Sequence, residues 1–147
     1  EGLESLAVLK DGRILAIAEA WRNGAHPAWL WQEGNWSQLT YEGRSGFQPT
    51  DATTLPNGDV LVLERGLNIF YGFRSRFVLL SKAELRAGAA LKGRELAVLE
   101  SPRLTENFEG IHAFARADGK VGVLIVSDNN FGQIQQTILA AFELTLP

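Results

Sequence analysis

One pattern occurs three times along the chain and limits its fold more than any other feature: an apolar run, a tight turn and a second apolar run. The turns are Asp11-Gly12, Asn57-Gly58 and Asp118-Gly119. Asn-Gly and Asp-Gly between apolar runs favour β-hairpins, because the type I′ turn needs positive φ at both central residues. The sequence therefore predicts three related hairpins. They run from Glu1 to Glu19, from Gln48 to Arg65 and from Asn107 to Asn130.

The distances between these turns indicate a repeat architecture. Successive turns lie about 46 and 61 residues apart, which suits the four-stranded blades of a β-propeller, about 40–50 residues each, with an insertion in the second unit. We therefore predict an all-β chain, a single domain or partial β-propeller over 1–147, with blade-like units at about 1–46, 47–106 and 107–147. A small closed barrel or a sandwich of similar hairpins is the alternative that the same pattern allows.

Further strand candidates follow each hairpin, but the third unit has only one of them, from Gln136 to Leu144. In the second unit, Ser81 and Glu84 are spaced as a capping box that begins a short helix. Propellers usually have four to eight blades, and native proteins cover the unpaired backbone groups of an open sheet edge. We therefore expect about three blades of a larger or dimer-completed propeller, whose remainder or second copy covers the open edges.

Composition restricts the kinds of partner that the chain can have. The 17 acidic and 14 basic residues give a net charge of −3, which argues against a dedicated nucleic-acid binder. No apolar run approaches the ~18 residues that a membrane span requires. The absence of Cys excludes disulfides and thiolate chemistry. We therefore expect no nucleic-acid partner and no membrane span.

The hairpin geometry brings polar residues together. In each hairpin the start of the first strand and the end of the second lie side by side, opposite the turn. Three hairpins therefore place three pairs of strand ends on one rim of the propeller, with Glu1, Asp51 and Glu109 expected around the mouth of the central channel. The polar residues at these strand ends are Glu1, Glu4, Glu19, Thr50, Asp51, Glu64, Arg65, Asn107, Glu109, Asp128, Asn129 and Asn130.

Carboxylates that converge on a wet rim favour two kinds of chemistry. They suit calcium, which takes six to eight oxygen ligands, and they suit general acid–base catalysis, because neighbouring like charges separate each other's pKa values. Structural bonds to neighbouring loops or blades are the alternative for each residue. The predicted metal ligands are Glu1, Asp51, Glu64, Glu109 and Asp128, and the predicted catalytic groups are Glu109, Asp128 and His112.

Basic and aromatic residues near the rim complete the predicted site. Gly66–Arg76 is predicted to be an aromatic and basic loop that either forms a lid over the site or packs against a neighbouring blade. His112 is either a general base or a hydrogen-bonded structural residue. Trp29 and Trp31 share one strand face and either pack between blades or form a sugar-stacking surface. Arginine suits bidentate binding of an anion, and the predicted substrate-binding residues are Arg65, Arg74, Arg76, Asn129 and Asn130.

Five short segments resemble one known family, in the same order along the chain. They are EG (Glu1-Gly2), PTDA with LPNGDVLVLER (Pro49–Arg65), NFEGI (Asn107–Ile111), SDNNF (Ser127–Phe131) and QQTILAAFEL (Gln135–Leu144). Together they resemble the C-terminal portion of the phytase-like domain family, also called esterase-like activity of phytase. NFEGI followed by SDNNF is the specific part of the resemblance, which covers nearly the whole chain.

This resemblance implies a propeller-like, exported bacterial protein, periplasmic or secreted, that hydrolyses phosphate esters such as phytate, or other esters. Better understood propeller phytases form a separate family and hold calcium with carboxylates, so their mechanism is an analogy here. The leading hypothesis is a metal-assisted hydrolase in which calcium polarises the phosphoryl oxygen and activates water. The alternatives are a non-catalytic propeller that binds a ligand or a protein, and a carboxylic ester or lactone hydrolase.

Overall fold

The structure, a computed structural model, describes residues 2–131 and 135–145, and in this range its regular structure is almost entirely β. The exception is the 3₁₀ turn Lys82–Glu84, where the predicted capping box of Ser81 and Glu84 forms. Within these residues no helix is long and apolar enough to cross a membrane. The strands are β1 Leu3–Val8, β2 Ile14–Ala18, β3 His26–Gln32, β4 Asn35–Tyr41, β5 Gln48–Thr54, β6 Val60–Asn68, β7 Gly72–Leu80, β8 Ala90–Leu91, β9 Arg94–Leu99, β10 Phe108–Ala115, β11 Val121–Ser127 and β12 Leu139–Leu144.

The strands form three sheets that follow one another along the chain. The first has the order β1-β2-β3-β4-β8, the second β5-β6-β7-β9 and the third β10-β11-β12. Neighbouring strands are antiparallel except for β8, which pairs in parallel with β4. A short strand from the insertion of the second unit therefore joins the first sheet.

The three predicted hairpins are present, but their turns differ from the predicted type. In the first hairpin Leu9 N donates to Arg13 O over 2.8 Å, and Gly12 N donates to Leu9 O over 3.0 Å. The glycine of each turn has positive φ, 85° at Gly12, 93° at Gly58 and 81° at Gly119, whereas the residue before it does not. These are three-residue loops, in which a type I turn is followed by a left-handed glycine. The hairpins are confirmed, and the type I′ prediction is wrong.

The second sheet lies between the other two, and each of its faces is buried in a separate hydrophobic core. Strand β6 shows this arrangement directly, because Val60 and Val62 pack towards the first sheet whereas Leu61 and Leu63 pack towards the third. The first strands of the three units, β1, β5 and β10, are neighbours. Sheets stacked face to face around adjacent first strands are successive propeller blades, so the predicted all-β propeller architecture is confirmed.

The outer faces of the first and third sheets are apolar and exposed. Leu6, Val8 and Trp36 lie on the outer face of the first sheet, and Phe114 and Val126 lie on that of the third. Large exposed apolar faces usually mark interaction surfaces. That further blades or a second copy cover these faces stays a prediction.

The predicted loop at Gly66–Arg76 is wrong, because these residues extend the β6–β7 hairpin. The two strands stay paired from Val60↔Leu80 to Asn68↔Gly72. At the tip, the Asn68 side-chain oxygen accepts from Phe70 N over 2.9 Å and from Tyr71 N over 3.2 Å. An Asn that bonds to the backbone two residues ahead closes a turn, so the segment is a hairpin that projects from the rim.

Candidate functional site

Each of the three innermost strands has a β-bulge near its start. In β1, β5 and β10 the pairing register shifts at one residue, which leaves that residue without a direct partner on the second strand. A bulge re-aims the side chain of the extra residue, and bulges are common beside functional sites. The three bulge residues, one in each blade, are Glu4, Thr50 and Glu109.

All three bulge residues line one cleft of about 400 Å³, which we call the rim cleft. Two further lining residues, Glu19 and Arg65, come from the other side of their hairpins. Each directly follows the second-strand residue that pairs with the residue before the bulge. Asp128 has the same position in the third blade. The rim cleft is lined by Glu4, Glu19, Pro49, Thr50, Arg65 and Glu109. Five of these six residues belong to the strand-end set that the sequence places on the rim.

The bulges change which residues are equivalent between blades. The sequence suggested Glu1, Asp51 and Glu109 around the channel mouth, whereas the strand pairing makes Glu4 and Thr50 the equivalents of Glu109. Asp51 comes one residue after its bulge, and Glu1 lies outside the described residues.

A hydrogen-bonded network crosses the cleft from the second blade to the third. Arg65 Nη1 donates to Glu109 Oε1 over 2.5 Å and to Asn107 Oδ1 over 2.6 Å. Asn107 Nδ2 donates to the same Glu109 oxygen over 2.8 Å. Asn107 is fully buried, whereas the side chain of Glu109 is 39% exposed. The network therefore fixes the Glu109 carboxylate while leaving it open to a ligand.

The rim cleft has an excess of negative charge. Its lining includes the carboxylates of Glu4, Glu19 and Glu109 and the guanidinium of Arg65. Carboxylate and hydroxyl oxygens are the donors that calcium takes. Over residues 2–131 and 135–145, however, no three His, Cys, Asp or Glu side chains are grouped so that they could hold a metal ion. Calcium therefore stays a prediction that the donor chemistry suits and the side-chain grouping does not support.

Asp51 connects the innermost strands of two blades. Its Oδ2 accepts from Ile111 N over 2.8 Å, and its Oδ1 accepts from Ala52 N over 2.8 Å. Burial raises the pKa of Asp51, and the two backbone hydrogen bonds oppose that rise. Oδ2 therefore holds β10 against β5, whereas Oδ1 bonds within β5.

The structure does not bring the predicted site residues Glu64 and Arg76 to the rim cleft. Glu64 is fully buried, and its oxygens accept from Tyr41 Oη over 2.5 Å and from Arg76 Nη1 over 2.6 Å. Arg76 Nε donates to Glu95 over 2.6 Å. Burial and the Glu64 charge raise the pKa of Tyr41 far above its usual range. Glu64 and Arg76, which both belong to the second sheet, form a buried ion pair on the face that meets Tyr41 of the first sheet.

The predicted residues after β11 form a compact turn beside the rim. Asp128 Oδ1 accepts from Asn130 N over 2.9 Å, and Asn129 Oδ1 accepts from Phe131 N over 3.1 Å. Asp128 N also donates to Asn107 O over 2.9 Å, which ties this turn to the network of the cleft. Asp128 is exposed and does not line the rim cleft.

His112 lies on the outer face of β10, away from the rim cleft. Its ring stacks on Phe114 with the centroids 6.4 Å apart. It lines a separate shallow pocket with Asp51 and residues of β11. The geometry therefore gives His112 no contact with Glu109, and its role as a general base stays a prediction.

Sequence reasoning placed four important residues on the rim without giving them a role in the site: Glu4, Glu19, Thr50 and Asn107. The signal that could have identified Asn107 is its place at the start of NFEGI. The bulges themselves leave no composition signal, since the bulge residues are of two different types.

Comparisons with known proteins place this geometry in context. The family model "Phytase-like: Esterase-like activity of phytase" matches residues 1–131, which include every residue of the rim cleft. A comparison with curated proteins gives no significant match. A solved fucose lectin from Kordia zhangzhouensis, in complex with methyl-fucoside, is similar over 94% of this chain and 90% of its own, with 11% identity and a TM-score of 0.45.

Proposed function

Because the chain belongs to the Phytase-like family, we propose that it is a hydrolase of phosphate esters that works at the rim cleft. The observation that carries the proposal is the convergence of three blades on a cleft where the Arg65 guanidinium lies beside the Glu109 carboxylate. An anion-binding group next to a carboxylate base is a minimal arrangement for ester hydrolysis.

In this proposal Arg65 binds the phosphate group. A guanidinium has five N–H donors, and the contacts of Arg65 with the described residues use Nη1, which faces Glu109 and Asn107. Nε and Nη2 are then the donors for two phosphate oxygens, in the bidentate geometry that arginine favours.

Glu109 is the proposed general base. A phosphate held by Nε and Nη2 lies beside the Glu109 carboxylate, which bonds to Nη1 through Oε1 and accepts a proton from water through its other oxygen. The water oxygen attacks phosphorus, the P–O bond to the alcohol breaks, and the leaving alcohol takes a proton from solvent. Asp128, at the position equivalent to Arg65 in the third blade, is the proposed second carboxylate.

Calcium is retained in the proposal as a cofactor. The side chains that would hold it are the oxygen donors of the cleft, among them Glu4, Glu19 and Thr50.

The test is phosphate release by purified protein from p-nitrophenyl phosphate and from phytate. Glu109→Gln should lower kcat/KM by about 10²–10⁴-fold, as expected for loss of a general base. The matched control is Glu143→Gln, since Glu143 pairs with Arg116 and Lys120 outside the rim cleft. Equal activity of Glu109→Gln and the control would refute the role of Glu109.

A non-catalytic binding propeller is the second candidate, and one observation favours it: Glu109 already has two donors within the protein, Arg65 and Asn107. This candidate predicts ligand binding without turnover of any ester. A carboxylic ester or lactone hydrolase is the third, and p-nitrophenyl acetate turnover without phosphate release would select it. The same purified sample separates all three.

We also propose that the exposed outer faces of the first and third sheets are covered in the complete assembly, by further blades or by a second copy. Sedimentation of the complete protein separates these, because a second copy doubles the mass of the particle. A single copy of this chain that remains monomeric with both faces open would contradict both.

The location proposed from the resemblance is the periplasm or the outside of a bacterial cell. Fractionation of the source cells tests it, and recovery of the protein solely with cytoplasmic markers would contradict it.

A further inference from the structure

A second pocket adjoins the rim cleft across Arg65. It has a volume of about 540 Å³, and its wall is largely apolar. Three aromatic side chains and Leu67 line it, together with the backbone around Gly46 and Gly66. We call it the aromatic groove, and its lining residues are Trp21, Ser45, Gly46, Phe47, Gln48, Arg65, Gly66, Leu67 and Phe73.

The edges of the aromatic groove are cationic. The guanidinium carbons of Arg44 and Arg74 lie 5.7 and 4.7 Å from the centroid of the Phe47 ring. Arg74 Nε is buried and has no hydrogen-bond partner among the described residues. The Arg74 guanidinium is instead covered by the face of the Phe47 ring, so the positive charge lies behind the groove wall.

The extended β6–β7 hairpin builds one wall of the groove. Leu67 and Phe73, which pair across this hairpin, both line it. The hairpin lies close against Phe47: a Cβ added at Gly66 would come within 2.6 Å of Gly46 O and 3.2 Å of the Phe47 ring. Glycine at position 66 is therefore what allows the hairpin to seat on Phe47 and shape the groove.

The charge of the adjoining rim cleft restricts the ligand further. When no calcium is bound, a densely phosphorylated molecule placed there would bring its negative charges against Glu4, Glu19 and Glu109. A monoester presents one anionic group to Arg65 and leaves its alcohol part free to enter the apolar groove. Aromatic rings favour such a site because they stack on other rings and beside guanidinium groups.

We propose that the aromatic groove binds the aromatic alcohol part of a phosphate monoester whose phosphate lies at Arg65. The assignment of the ester as a substrate rests on the proposed function, whereas the binding geometry does not. It makes aryl monophosphates, rather than polyphosphorylated polyols, the preferred ligands of this chain.

Two non-hydrolysable probes test the groove independently of catalysis: naphthylmethylphosphonate and methylphosphonate, titrated by calorimetry into the complete protein. We expect the aryl probe to bind at least about tenfold more tightly. Leu67→Ser and Trp21→Ala should remove most of this difference. Trp36→Ala is the matched control, because Trp36 is an exposed tryptophan on β4 that does not line the groove.

Equal affinity of the wild-type protein for the two probes would overturn the proposal. So would an affinity difference that Trp21→Ala and Trp36→Ala reduce equally and that Leu67→Ser leaves at its wild-type size. Leu67 is exposed, so Leu67→Ser keeps the test valid if Trp21→Ala does not fold. An aryl preference without ester hydrolysis would support the groove and refute the hydrolase. Hydrolysis with no aryl preference in probe binding would refute the groove and leave the hydrolase intact.

Discussion

Removing Arg76 should destabilise the protein more than removing any surface arginine. Its partner Glu64 is 0% exposed and accepts hydrogen bonds from Arg76 and Tyr41. Arg76→Met therefore leaves a buried carboxylate with Tyr41 as its remaining donor. Breaking a buried ion pair from one side costs about 3–5 kcal/mol, and we expect a loss of that size in the free energy of unfolding.

Two further variants isolate the electrostatic cause. Glu64→Gln combined with Arg76→Met removes the unpaired charge, so the double variant should recover a large part of the loss, as neutral replacement of a buried pair often does. Arg116→Met is the matched control, because Arg116 forms exposed pairs with Asp118 and Glu143. Exposed pairs contribute about 0–1 kcal/mol, so the control should change little.

Urea unfolding at pH 7, followed by tryptophan fluorescence, measures all four proteins, with the midpoint and the slope fitted separately. A loss below about 1 kcal/mol in Arg76→Met, or a double variant no more stable than the single one, would refute the buried-pair reasoning. A calorimetric calcium titration of the single variant Glu64→Gln tests the predicted metal role of Glu64. If Glu64 holds calcium, Glu64→Gln will weaken calcium binding; if the buried pair is its role, calcium affinity will stay unchanged.

Two further predictions concern Asp51 and calcium. Burial raises the pKa of Asp51 above its ordinary value of 3.8; stability from such a carboxyl is present below its unfolded pKa and is lost as the pH rises through its folded pKa. Relative to wild type, Asp51→Asn should therefore become more stable as the pH rises above the ordinary Asp value of 3.8. A stability difference in urea unfolding that stays constant, or that changes in the opposite direction with pH, would contradict this. Calorimetric titration with calcium chloride should show binding that Glu109→Gln and Glu19→Gln weaken and that Glu143→Gln does not; no binding by wild type would remove calcium from the proposal.

The hairpins were predictable because their signal is local. Asp-Gly and Asn-Gly between apolar runs specify a turn wherever they occur, and all three turns formed at the predicted residues. The detailed turn type was not predictable, since the same dipeptides serve two-residue and three-residue loops. The capping box at Ser81 formed for the same local reason.

Glu64 shows where local reasoning fails. It looks like a residue at the polar end of an apolar strand, yet β6 continues to Asn68 and keeps Glu64 in the strand interior. Its partners Tyr41 and Arg76 come from another sheet and from the next strand. A buried charge is tolerated because of such partners, and the sequence gives no distance between them.

The bulges account for the rest of the difference between the predicted and observed sites. Successive side chains of a strand point to opposite faces of the sheet. One extra residue at a bulge therefore reverses the predicted face of every strand residue beyond the bulge. Glu4, Thr50 and Glu109 therefore reach the cleft, while Asp51, the residue after its bulge, bonds to the neighbouring blade instead.

The repeat explains how one backbone can hold such different chemistry. Each blade contributes two rim residues: the bulge residue of its first strand, and the residue that comes just after the second-strand partner of the position before the bulge. These pairs are Glu4 with Glu19, Thr50 with Arg65, and Glu109 with Asp128. The hairpin cores beneath these pairs consist of the same kinds of apolar residue in each blade. Substitutions at the five of these positions that line the cleft can thus change what it binds, because the packing that stabilises the blades lies elsewhere. Arg65 is the one basic residue among these positions, so we predict that Arg65→Glu abolishes phosphonate binding in calorimetry; unchanged binding would refute the role of Arg65 in holding the anion.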